Sequence, residues 1–225
     1  MRLFLTGGGD QECFEALDQK FIESLPKNAK ILILPVAAEE NEYEDVYDRI
    51  KENFVSKKIS TFELCKNPSA LTSENLQEYD AIMIEGGNTF KLIQAVRNSS
   101  FNKCLEDYCQ TDKIIYADSA GAIVLGSDVQ TAFLGEDGDE DESKLQDYRG
   151  LGVLNEWSLH CHYEPEQLEQ LQELMYSTGS TVICLPEPTG IFFDQSTIEV
   201  FGEEPATILT FSGVEKMAHG SIRSI

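Results

Sequence analysis

Ser119 lies in Ile114-Ile115-Tyr116-Ala117-Asp118-Ser119-Ala120-Gly121-Ala122, where a short apolar run gives way to small residues able to open a helix. A serine at such a strand–turn–helix junction projects its hydroxyl from a sheet edge, and the helix start offers amides to a developing oxyanion. The chemistry implied is nucleophilic attack on a carbonyl. The segment departs from the strict G-x-S-x-G pattern at Ala117. A serine ahead of a helix also serves as an N-cap, so the string by itself leaves both roles open.

A serine hydroxyl needs a base to remove its proton, and the chain has three histidines, His160, His162 and His219. In Ser158-Leu159-His160-Cys161-His162-Tyr163 two of them are two residues apart, so on a strand both would face one side, one as base and the other as pocket neighbour. Cys161 would then point away as a core thiol, while His219 falls in a polar C-terminal stretch. The same H-x-H spacing could instead place His160 and His162 on a metal beside a carboxylate, which makes a metal-dependent hydrolase the rival enzyme reading. The third group of a serine relay is a carboxylate that orients the imidazole; Glu187, directly after the apolar Thr181–Leu185 run, is the candidate.

The elements that must position these groups alternate. Apolar runs at Met1–Leu5, Lys30–Val36, Asp80–Ile84 and Lys113–Tyr116, with a weaker one at Ile59–Leu64, read as strands, and the continuous run Lys30–Val36 as one buried on both faces. Helical spacing follows in Glu15–Leu25, Tyr43–Phe54 and the stretch through Phe90, Ile93 and Val96, and again in Glu164–Tyr176. Strands alternating with helices predict an α/β fold, a doubly wound, mostly parallel sheet with helices on both faces, as one domain over residues 1–225. Ligands in such sheets gather beyond the carboxyl ends of the strands. Gly190–Val200 reads as a hairpin turning at residues 194–196, and Gly135–Lys144 (GEDGDEDESK) as a mobile, solvated surface loop.

With 17 Lys and Arg against 40 Asp and Glu the formal charge is −23, which excludes nucleic acid and anionic membrane as favoured partners. No segment has the length of apolar residues needed to span a bilayer, and the N-terminus lacks an export signal, so a cytoplasmic protein is expected. Six cysteines without a CxxC pair fit reduced, mostly buried thiols. No metal or organic cofactor is expected.

Taken together, Gly7-Gly8-Gly9, Glu85-Gly86-Gly87-Asn88-Thr89-Phe90, Asp118-Ser119-Ala120-Gly121-Ala122, His162-Tyr163 and Leu185-Pro186-Glu187 resemble peptidase E, an aspartyl dipeptidase family of serine peptidases; cyanophycinases share the broader pattern. The resemblance spans nearly the whole chain. It implies a flavodoxin-like sheet of the class I glutamine amidotransferase kind and a Ser-His-Glu triad on Ser119, His162 and Glu187. It also implies an oxyanion hole from the amides of Gly87 and Ala120, with Asn88 nearby. An acid in the loop after the elbow, Glu136 or Asp137, is the other candidate for orienting partner. Peptidase E cleaves dipeptides with N-terminal aspartate, which calls for a cation in the pocket. The stretch after His162, Tyr163-Glu164-Pro165-Glu166-Gln167, continues to Leu174 without arginine or lysine. Strict aspartyl specificity is therefore not expected unless Arg149, Lys91 or Arg97 folds into the site. The expected partner is a short peptide, neutral or basic at its N-terminus, taken by a monomer or homodimer. A non-catalytic relative that binds a small ligand or partner protein is the reading from a different class.

Overall fold

The computed structural model describes residues 1–135, 138–194 and 196–224. Its first half is the alternation anticipated from the apolar runs. Strand β1 (Arg2–Thr6) leads to helix α1 (Glu15–Ser24), β2 (Ala29–Leu34) to α2 (Tyr43–Asn53), and β3 (Ile59–Leu64) to the short α3 (Ser73–Leu76). Next come β4 (Ala81–Ile84), α4 (Thr89–Arg97), α5 (Phe101–Cys109), β5 (Ile114–Asp118) and α6 (Ala120–Leu125). The second half adds β6 (Trp157–His160), α7 (Leu168–Thr178), β7 (Thr181–Cys184), the hairpin β8 (Thr189–Asp194) and β9 (Thr197–Gly202), then β10 (Ala206–Thr210), β11 (Gly213–Met217) and β12 (Ile222–Ser224). One residue of the β8–β9 turn, Gln195, lies outside the described residues.

The main sheet has eight strands in the order β12-β9-β8-β1-β5-β4-β2-β3. Strands β1, β5, β4, β2 and β3 are parallel, and β8 joins β1 antiparallel. Side-chain alternation explains why helices cover both faces. Leu3, Leu5, Leu32, Leu34, Ile82, Ile84, Ile115 and Ala117 enter one core with α4, α5 and α6. Their neighbours Phe4, Ile31, Ile33, Met83 and Tyr116 enter a second core with Phe21 of α1, Ile50 of α2 and Phe54. Burial on both faces makes these segments continuously apolar.

A separate four-stranded sheet, β11-β10-β7-β6, was not anticipated. Within it β6 and β7 run parallel, with His160 opposite Cys184. Helix α7 covers it through Leu171 and Met175, which pack against Val182 and Leu209. Of its strands β6 and β7 were legible while β10 and β11 were not, and which sheet each joins is fixed by contacts distant in sequence.

The acidic 135–144 stretch departs from the solvated loop expected of it. Among its described residues, Asp139 accepts a hydrogen bond from the Thr89 amide (2.8 Å), the Glu140 carbonyl accepts one from Asn88 Nδ2 (3.0 Å), and Asp141 accepts one from Tyr148 (3.1 Å). The first turn of α4 presents unpaired N–H groups and the positive end of its dipole, and the acidic segment docks there. No described helix is long and apolar enough to cross a membrane.

Candidate active site

Ser119 occupies the turn between β5 and α6 at φ 45°, ψ −113°, a conformation that L-residues rarely hold. Packing around it imposes this geometry. A Cβ on Gly121 would lie 2.2 Å from the Ile84 carbonyl, so this residue must be glycine for α6 to start this close to β4, and one on Gly86 would crowd Asp118 Oδ2 at 3.0 Å and Ser119 Cβ at 3.3 Å. The Ser119 amide donates to the Thr6 carbonyl at 3.2 Å, which ties the turn to the end of β1.

His162 arrives from the other sheet. It stands two residues beyond β6, where its backbone turns to φ 52° and its amide donates to the Gly7 carbonyl at 2.8 Å. Its Nε2 is 2.8 Å from Ser119 Oγ, and its Nδ1 is 3.0 Å from Glu187 Oε1. Glu187 follows β7, the parallel neighbour of β6, so one register in the small sheet delivers both groups. The expectation that His160 and His162 share a strand face is corrected here. The strand ends at His160, and the left-handed His162 backbone re-aims its ring.

His160 is 2% exposed, with Nδ1 3.1 Å from the Thr131 carbonyl and Nε2 2.8 Å from Gln167 Oε1. Burial lowers its pKa. Both nitrogens are turned to these partners rather than toward His162, so the two histidines do not form the ligand pair that a metal site would need. Cys161 is buried beneath the turn, 3.6 Å from the Ser119 carbonyl, and burial drives its thiol pKa well above the usual range.

Of the expected oxyanion groups, Gly87 lines the cleft and holds φ 133°; a Cβ there would meet the Ala37 carbonyl at 2.5 Å. Ala120 begins α6 immediately after Ser119, where a helix amide has no partner within the helix. Asn88 is not brought to the cleft. Its Oδ1 caps the Lys91 amide, its Nδ2 holds Glu140 and its own amide donates to Ala37. Glu136 and Asp137 lie outside the described residues. The loop acid that the sequence reading did not single out is Asp139, on the first amide of α4. Nor are the expected alternative cations in the site: Lys91 pairs with Glu39, Arg97 with the carbonyls of Asp147 and Arg149, and Arg149 with Asp147. The cleft encloses about 1030 Å³ among Ser119, His162, Tyr163, Glu166, Glu187 and neighbouring residues.

Two acids beneath the turn, both within the motif segments quoted above, had been given no role. Thr6 donates to Asp118 at 2.5 Å, and Arg49 donates to Glu85 at 2.9 Å. Glu85 is 7% exposed; burial, then the Asp118 carboxylate, push its pKa from 4.5 up to about 7 against the pull of Arg49. The folded state therefore binds this proton more tightly than the unfolded chain. Stability is favoured below pH 4.5 and lost as pH rises through 7, by about 3 kcal/mol from this group. Glu85→Gln should leave the melting temperature nearly unchanged at pH 4 and raise it at pH 8. Thermal unfolding at the two pH values checks this, and an equal shift at both would refute it.

The family model of peptidase family S51 matches residues 3–201 of this chain. An uncharacterized peptidase of Pasteurella multocida is 22% identical over 161 residues, which are 71% of this chain and 77% of that protein. Among solved structures, a peptidase from an acI-B1 Actinobacterium superposes with a TM-score of 0.78 at 20% identity, covering 100% of this chain and 96% of the other. A putative peptidase E protein from Listeria monocytogenes EGD-e superposes with a TM-score of 0.66 at 20% identity, covering 90% and 98%.

Proposed function

The chain belongs to peptidase family S51, and from that premise we propose that it is a cytoplasmic serine peptidase that hydrolyses short peptides through Ser119, His162 and Glu187. The observation that carries the reading is the relay itself: a serine in a strained turn, 2.8 Å from an imidazole whose other nitrogen is 3.0 Å from a carboxylate. Six free thiols support a reducing compartment.

In this mechanism Ser119 Oγ attacks the peptide carbonyl while His162 Nε2 takes its proton. The amides of Gly87 and Ala120 hold the oxyanion, and His162 then protonates the departing amine. Water, deprotonated by the same nitrogen, releases the acyl group and restores the serine. A neutral fluorophosphonate probe tests the first step. One adduct per chain, mapped to Ser119, is expected; a folded protein that admits the probe and stays unlabelled would exclude an activated serine.

Glu187 should matter less than a buried triad acid, because its side chain is 61% exposed and water screens the charge it offers the imidazolium. Glu187→Gln is expected to lower kcat by about 10- to 100-fold, against about 10⁴-fold where the acid is buried. Steady-state kinetics on a cleaved peptide measures this, and an unchanged kcat would remove Glu187 from the mechanism.

A further inference from the structure

The cleft is one-sided in charge. Asp139, Glu164, Glu166, Glu187 and Glu204 line it, and none of its described lining residues is lysine or arginine. Three of these acids are engaged: Asp139 by the Thr89 amide, Glu164 in capping the turn at Gln167, and Glu187 by His162. Glu166 and Glu204 make no side-chain hydrogen bond or ion pair among the described residues. They reach the cleft from separate parts of the chain, Glu166 just after His162 and Glu204 from the connection between β9 and β10. A second, independent feature is Thr89. It is fully buried in the cleft wall, and its Oγ1 has no hydrogen-bond partner among the described residues. Buried hydroxyls are nearly always paired, so an unpaired one lining a cleft is a group awaiting a polar ligand.

We propose that this cleft selects peptides with basic side chains, with Glu166 and Glu204 as the carboxylates that meet the cation. The proposal deepens the peptidase reading and rests on it. Acidic peptides are disfavoured by the same arrangement, because a substrate carboxylate would be set among these carboxylates with no lysine or arginine among the described lining residues.

Binding tests this apart from turnover. Ser119→Ala protein, titrated calorimetrically with trilysine, triglutamine and triglutamate, should bind trilysine at one site at least about 30-fold more tightly than triglutamine, with the gap narrowing as salt rises. Adding Glu166→Gln and Glu204→Gln should bring the two peptides to within a few-fold of each other. That step separates the cleft from the diffuse attraction of a chain of net charge −23. Equal or tighter binding of triglutamine or triglutamate, or a trilysine preference that survives in the triple variant, would overturn the proposal. Fluorophosphonate labelling of the wild type distinguishes the two levels. Labelled Ser119 without cation preference defeats the specificity alone, whereas cation-selective binding without labelling leaves the cleft's selectivity standing and defeats the hydrolase reading.

Discussion

Ser119→Ala should reduce peptide turnover by about 10⁴-fold or more and abolish the covalent adduct, while peptide binding and the fold persist. The size follows from the step removed: without the hydroxyl no acyl group can form, and only the cleft and its amides remain. The same position tests the backbone. At φ 45°, ψ −113° any side chain is strained, by about 1 to 3 kcal/mol, whereas glycine is not. Ser119→Gly should therefore be as inactive as Ser119→Ala yet more stable by about 1 kcal/mol in urea unfolding, so that stability rises where function is lost. Retained turnover in either variant would refute the role of this serine.

Gly8→Ala should be nearly as damaging to the chemistry, although Gly8 touches no substrate in the proposed mechanism. A Cβ at this position falls 2.2 Å from His162 Cε1 and 2.6 Å from Nε2, inside the imidazole itself. The ring must leave, and the 2.8 Å contact to Ser119 goes with it. Misplacing a base by about 1 Å costs about 100-fold or more, so acylation by the fluorophosphonate should slow by at least about that factor. Gly8 also has φ 93°, so the methyl strains the backbone as well. Gly179→Ala is the control, since Gly179 has φ 75° and a methyl group there would meet nothing within 4 Å. It should lose about 1 kcal/mol of stability with its labelling rate unchanged. Full activity in Gly8→Ala would mean that His162 is not the base.

What could be read from sequence divides by the range of the interactions. The parallel half of the sheet was legible because burial on both faces leaves a continuous apolar signal in KILIL and AIMI. Ser119 was legible for a similar reason: its strand, turn and small residues are contiguous. Helix α5 passed unread, although Phe101, Cys104, Leu105 and Tyr108 are buried at helical spacing. The partnership of His162 with Glu187 came from resemblance, since what brings them together is a second sheet whose strand pairing has no local mark. The same gap misled the reading of the two histidines, where strand alternation was carried past the strand's end at His160 to His162. The absence of arginine and lysine from Tyr163 to Leu174 was plain in the string, but the convergence of Glu166 and Glu204 needed the fold.

Ser119 follows a strand of the eight-stranded sheet, and His162 and Glu187 follow strands of the four-stranded one. During synthesis the serine leaves the ribosome well before the residues that would activate it, and β8, which closes the main sheet against β1, comes later still. A nascent or half-folded copy therefore carries an ordinary alcohol. In the proposed mechanism, competence would arise only when the two sheets have seated against each other, with the His162 amide on the Gly7 carbonyl as the fastening.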